Sequence, residues 1–124
     1  MARILIADDQ ASVRNLIRSI LQGAGHSVVE ACDGREAMEL LSASFDLVVT
    51  DVMMPEKDGL ELVRHIRKQS YRLPVLVVTG GWNNHRVDLL KVASSFGADR
   101  VLTKAKVRDQ LLPLVSELLQ ITAK

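Results

Sequence analysis

The chain of 124 residues predicts an α/β fold, a doubly wound five-stranded parallel sheet with helices on both faces. Five short apolar runs are each too brief for a buried helix and rich enough in branched residues to read as strands covered on both sides. Between them lie segments whose apolar residues recur at helical spacing. The links are short, and strands that alternate with helices in this way pair in parallel.

The first strand is Ile4 to Ala7, ending in Asp8-Asp9. A helix follows from about Ala11 to Gln22, with Val13, Leu16, Ile17, Ile20 and Leu21 on its apolar face, and Gly23 and Gly25 stop it. His26 to Ala31 reads as a second, weaker strand. Asp33-Gly34 opens a helix with Ala37, Met38, Leu40 and Leu41 on one stripe. The third strand, Leu47-Val48-Val49, stops at Asp51, and Pro55 and Asp58-Gly59 mark the loop beyond. A third helix carries Leu60, Leu62, Val63 and Ile66 inward, with Arg64, Arg67 and Lys68 outward. Pro74 introduces the fourth strand, Val75 to Val78, which ends at Thr79-Gly80-Gly81. A fourth helix is expected near His85 to Phe96, closed by Gly97. Val101-Leu102-Thr103 is a fifth strand ending at Lys104, and a last helix runs from about Val107 to Leu119 with a kink or an irregular start at Pro113.

Length and a hydrophobic content of 48% suit one domain over residues 1–124, with no linker, repeat or second domain expected. The net charge of +1 argues against disorder and against direct nucleic-acid binding. The sign is uneven along the chain. Residues 1–62 hold 5 Lys/Arg against 11 Asp/Glu, a balance of −6, and residues 63–124 hold 11 against 4, a balance of +7. The acidic half suits a cation site; the basic half is read as solvated surface or as a face for an acidic partner. Cys32 is the only cysteine, which points to a reducing compartment and a packed thiol. The apolar run at the N-terminus is too short for a signal peptide, and no stretch is long enough to span a membrane. A soluble, cytoplasmic protein without membrane insertion is expected.

Each strand end but the second carries polar groups that a buried strand does not need. Asp8 and Asp9 follow the first, Asp51 the third, Thr79 the fourth and Lys104 the fifth. In a parallel sheet these ends share one edge, where open α/β sheets bind ligands. The groups converge there if the first and third strands are neighbours. Crowded carboxylates raise one another's pKa unless a cation joins them. A hard ion such as Mg²⁺ accepts carboxylates, waters and a phosphate oxygen. A hydroxyl and an ammonium opposite would stabilise an anion, a phosphoryl group being the natural candidate. Capping of the first helix by Asp8 and Asp9 explains neither the doubling nor Lys104. His26, His65 and His85 lack a second ligand type at metal spacing and are read as surface or loop residues.

Asp8-Asp9, Asp51 followed by Met54-Pro55 and Asp58-Gly59, then Thr79 and Lys104, in that order, closely resemble the receiver domain of two-component response regulators. The resemblance covers essentially the whole chain and implies the flavodoxin-like strand order 2-1-3-4-5. It implies a phosphorylation-dependent switch of a two-component system or phosphorelay. Asp51 would accept a phosphoryl group from a phosphohistidine on a histidine kinase or histidine phosphotransfer protein. Mg²⁺ would be bound by Asp9 directly, by Asp8 largely through water, by Asp51, and by the backbone carbonyl of Met53. Thr79 and Lys104 would each contact a phosphoryl oxygen. On this reading the protein is no enzyme with a separate substrate; it catalyses its own phosphoryl transfer and dephosphorylation at Asp51. Output would pass to a downstream protein target, from a monomer or weak dimer.

Some positions depart from the family pattern. Ala105 follows Lys104 where proline is usual, so a different path is expected for the last loop. Val101 replaces the Tyr or Phe that changes rotamer on activation, and Thr79 is followed by Gly80-Gly81-Trp82. Trp82 is either the substitute for that aromatic or a residue that shields the site or packs on the following helix. Two other uses of the fold fit poorly. A flavodoxin-like cofactor binder would have its phosphate repelled by Asp8 and Asp9. A haloacid-dehalogenase-type phosphatase needs an Asp two residues after its nucleophile, where Met53 and Gln10 stand. The remaining alternative is a receiver that is never phosphorylated and serves only as a docking module.

Overall fold

The computed structural model describes residues 1–52, 54, 58–69, 72–80, 95 and 97–122. Its strands are β1 (Arg3–Ala7), β2 (Ser27–Ala31), β3 (Leu47–Thr50), β4 (Val75–Thr79) and β5 (Arg100–Thr103). They form one sheet in the order β2-β1-β3-β4-β5. Every pairing is parallel, with Ile4 opposite both Val28 and Leu47 and with Val77 opposite both Thr50 and Val101. The helices are α1 (Ala11–Gly23), α2 (Gly34–Leu40), α3 (Gly59–Lys68) and α4 (Val107–Thr122). The helix expected near His85 to Phe96 lies outside the described residues, as do Met53, Pro55, Gly81 and Trp82.

Alternation along each strand sends its side chains into two separate cores. Leu5, Ala7, Val48, Val75 and Val77 face Ala37 of α2 and Leu62, Val63 and Ile66 of α3. Ile4, Ile6, Leu47, Val49, Leu76 and Val78 face Ile17 and Leu21 of α1 and Leu111, Val115 and Leu118 of α4. Each large side chain so buried contributes about 1.5–3 kcal/mol. β3 and β4 are buried along their whole length, whereas β2, an edge strand, is half-exposed. The helix starts follow local chemistry. The Asp33 carboxylate accepts the Glu36 N–H at the start of α2, and the Asp58 carboxylate accepts the Glu61 N–H at the start of α3. At the other end of α1, Gly25 takes a φ of +94°, which a side chain would resist.

Some expectations are corrected and others gain detail. α2 is only 7 residues long; Leu40 is exposed at its last turn, and Leu41 caps it in extended conformation and packs on the core from there. Cys32 is exposed, since it lies one residue past β2, beyond the buried end at Ala31. Pro113 lies inside α4, which continues through it; its ring has no N–H to offer the Asp109 carbonyl. Ala105 sits in a 3-10 turn, Lys104–Lys106, that leads into α4. His26 is half-buried, its Nδ1 accepting the Ala2 N–H at 3.1 Å. Arg67 is not simply outward. It donates to the carbonyls of Gly97 (2.9 Å) and Leu73 (2.7 Å) and to the Asp99 carboxylate (2.6 Å), which also accepts the Val75 N–H. Among the described residues no helix is long and apolar enough to cross a membrane.

Candidate functional site

Because β1 lies between β2 and β3, the residues after β1 and β3 emerge side by side. The Asp51 N–H donates to the Ala7 carbonyl at 2.9 Å, and the Asp8 N–H to the Ala31 carbonyl at 3.1 Å. Both aspartates are buried, and Asp9 is exposed beside them. Carboxylate oxygens of Asp8, Asp9 and Asp51 lie within 4.8 Å of one another. Asp8 does not cap α1. Its Oδ1 accepts the Gln10 N–H at 2.8 Å, and Gln10 itself is the N-cap residue. The Asp8 backbone carbonyl accepts Arg14 Nη1 at 2.6 Å, and both Arg14 and Arg18 pair with Glu30 of β2.

The Asp51 carboxylate is held at both oxygens. Oδ1 accepts the Val52 N–H at 2.7 Å, and Oδ2 accepts Lys104 Nζ at 2.8 Å. The same ammonium lies 3.5 Å from Asp8 Oδ2, an ion pair too long for a hydrogen bond, so that buried oxygen has no hydrogen-bond donor among the described residues. The hydroxyl of Thr79, buried at the end of β4, is likewise without a partner among the described residues. Gly59, which opens α3, donates its N–H to the Val52 carbonyl at 2.9 Å, and a Cβ there would overlap the Asp51 carbonyl.

Burial, the Asp51 charge and the Asp9 charge raise the pKa of Asp8 above its ordinary value, with the Gln10 N–H and Lys104 acting the other way. Burial works against the Lys104 ammonium, but the hydrogen bond and charge of Asp51, with the charge of Asp8, outweigh it and raise its pKa. An orphaned buried carboxylate oxygen among three crowded acids fits a hard, oxygen-seeking divalent cation. Thus Asp8, Asp9, Asp51, Thr79 and Lys104 all reach one edge. Gln10, Arg14 and Gly59, which support them, carry a weaker signal in the sequence. Only their proximity to the acidic pair or to the Asp58-Gly59 turn points to them.

A family model described as the response regulator receiver domain matches residues 4–116. The chain belongs to this family. Receivers of this kind act in phosphorylation-dependent two-component signalling. Response regulator MprA of Mycolicibacterium vanbaalenii is 40% identical over 121 residues, 97% of this chain and 51% of that protein. The virulence transcriptional regulatory protein PhoP of Salmonella typhimurium is 40% identical over 84% of this chain and 46% of its own. The chain thus spans about half the length of these curated relatives. The Francisella response regulator 1452 receiver domain superposes with a TM-score of 0.87 at 29% identity, covering 98% of this receiver and 99% of that chain. Response regulator TrrA of Thermotoga maritima, solved in complex with Mg(2+)-BeF, gives 0.80 at 34% identity, covering 95% and 99%. These likenesses agree with the observed strand order.

Proposed function

We propose that this receiver accepts a phosphoryl group on Asp51 from a phosphohistidine of a histidine kinase or histidine phosphotransfer protein. The carrying observation is the Lys104 ammonium, 2.8 Å from the Asp51 carboxylate, beside an Asp8 oxygen that has no donor. An Asp51 oxygen forms the new bond to phosphorus as the phosphorus–nitrogen bond breaks. The bonding pair stays with the imidazole nitrogen, and because the other ring nitrogen of the phosphohistidine carries a proton, the donor is left as neutral histidine. Lys104 stabilises negative charge on the phosphoryl oxygens, and the unpartnered Thr79 hydroxyl donates to one of them. The Val52 N–H keeps the carboxylate oriented. Asp8, Asp9 and Asp51 would hold Mg²⁺, with the Met53 backbone carbonyl as a further ligand expected from the family resemblance. The ion, when bound, offsets the charge of the carboxylates and of the incoming phosphoryl group. Dephosphorylation is attack by water on phosphorus, which returns the carboxylate and releases inorganic phosphate.

Output passes through contact with a downstream protein, and the receiver works in the cytoplasm as a monomer or weak dimer, without direct contact to nucleic acid. The stated activities of the longer relatives are their own. The test is to incubate the protein with acetyl phosphate and Mg²⁺ and measure the mass increase of one phosphoryl group. Asp51→Asn abolishes it, and so does chelation. Undiminished labelling of Asp51→Asn, or labelling that survives chelation, overturns the assignment.

A further inference from the structure

Gln10 joins two parts of the site. Its backbone is fixed on both sides: its N–H donates to Asp8 Oδ1 at 2.8 Å, and its carbonyl accepts the N–H groups of Val13 and Arg14 at 3.1 and 3.0 Å. It occupies the N-cap position of α1, yet its side chain makes no capping bond. Instead Oε1 accepts Lys104 Nζ at 2.7 Å, from a residue 94 positions further along the chain. We infer that Gln10 is a positioning residue for phosphoryl transfer, its side-chain amide holding the Lys104 ammonium at the reacting group. The inference rests on Asp51 being the phosphoacceptor.

A lysine ammonium has three N–H groups and no acceptor of its own. Its neighbours here are Asp51 Oδ2, Asp8 Oδ2 and Gln10 Oε1. The first two belong to groups whose charge changes during the cycle. Asp51 becomes an acyl phosphate, and both carboxylates are candidate metal ligands. A divalent cation held by these carboxylates would repel a neighbouring ammonium. Gln10 is neutral, does not react, and stands on a backbone that the helix start fixes. Of these three neighbours it alone is the same before, during and after transfer. Without it, a long flexible side chain regains freedom that the reaction must again remove.

Transfer onto Asp51 and hydrolysis from it both pass through states with negative charge on the phosphoryl oxygens. An ammonium held in place assists both. Removing the tether therefore slows both steps by a similar factor and leaves the steady-state phosphorylated fraction nearly unchanged. A role confined to stability does not produce that pairing.

The experiment uses the whole chain with acetyl phosphate and Mg²⁺, comparing wild type with Gln10→Met, which keeps the length and apolar stem but removes the acceptor. Labelling and loss of label are timed separately. Both are expected to slow by about threefold to tenfold, the range for one charge-assisted hydrogen bond partly open to water. The same substitution in a Lys104→Ala background is expected to change neither rate. In parallel, the Nζ resonance of Lys104 in ¹⁵N-lysine protein, with Mg²⁺ present, is expected to show protected protons in wild type and fast exchange in Gln10→Met. That measurement decides alone if Lys104→Ala labels too slowly to time. Rates equal to wild type, a full effect persisting without Lys104, or unchanged Nζ protection each overturn the inference and leave the Asp51 reading standing. A wild-type protein that takes no label overturns both.

Discussion

Lys104 and Asp51 meet at the C-terminal edge of the sheet with Nζ 2.8 Å from Oδ2, although 53 residues separate them in the chain. The contact joins the end of β5 to the end of β3 across β4, so it exists only when all three strands are in register. Replacing Lys104 with Ala is expected to leave the fold and Mg²⁺ binding largely intact, because the lysine contributes no metal ligand. It should weaken the preference of a partner for the phosphorylated form by about tenfold, equivalent to ~1.4 kcal/mol. Titration of labelled partner against both forms of the variant measures this. Wild-type discrimination would reduce Lys104 to a surface cation.

The second prediction concerns Asp8, whose carboxyl is buried beside Asp51 and Asp9 and has a raised pKa. A folded-state pKa above the unfolded value means that the folded protein binds this proton more tightly. Its ionised form therefore destabilises the metal-free fold at neutral pH, and the penalty fades as pH falls toward the ordinary value of 3.8. Asp8→Asn should raise the metal-free protein's stability at pH 7 by on the order of 1 kcal/mol, with a melting temperature roughly 2–5 °C higher. The gain should shrink toward pH 4, and the variant should lose the wild-type stabilisation by Mg²⁺. Melting curves with and without Mg²⁺ at several pH values test all three effects together.

Gly59 is the third. An added Cβ overlaps the Asp51 carbonyl, a backbone atom that no side-chain rotation relieves. Gly59→Ala should therefore destabilise by about 1–3 kcal/mol despite the better helix propensity of alanine. Since the displaced backbone is that of Asp51, labelling should slow as well. Chemical denaturation and the rate of labelling by acetyl phosphate measure the two effects. A variant as stable and as fast as wild type would show that α3 moves aside freely.

Cys32 supplies the fourth. The exposed thiol has its pKa raised above the ordinary 9.0, chiefly by Glu36, then by slight desolvation and the charge of Asp33. At pH 8 less of it is thiolate than in a free cysteine, so alkylation by iodoacetamide should be slower than for a model thiol. Glu36→Gln should speed it. Equal rates for the two proteins would remove Glu36 as the cause.

The strands were legible because buried parallel strands read as unbroken apolar runs, and Leu47-Val48-Val49 admits no other reading of comparable economy; their order came only with the resemblance to receiver domains. The site was legible because aspartate, threonine and lysine have no packing reason to end such strands. What escaped was set by contacts, not by residue type. Cys32 looks like a core residue beside Ala31, yet it falls one step past the buried end of an edge strand. Leu40 fits the apolar stripe of α2, but the helix ends there and leaves the side chain exposed. Arg67 reads as one more outward cation, whereas Leu73 before β4 and Gly97 and Asp99 before β5 organise it. The reach of Gln10 to Lys104 depends on the closed sheet and has no local signature.

The β2-β1-β3-β4-β5 order has a consequence for damaged copies of the protein. No two neighbours in sequence can make this site apart from Asp8 and Asp9. The third acid arrives from β3 and the ammonium from β5, over long loops whose closure only the completed sheet secures. A chain stalled before β5 docks therefore lacks the ammonium at the reacting group, whatever local structure it keeps. Failure of the fold silences the signal and leaves no misfolded copy able to report a stimulus that never came.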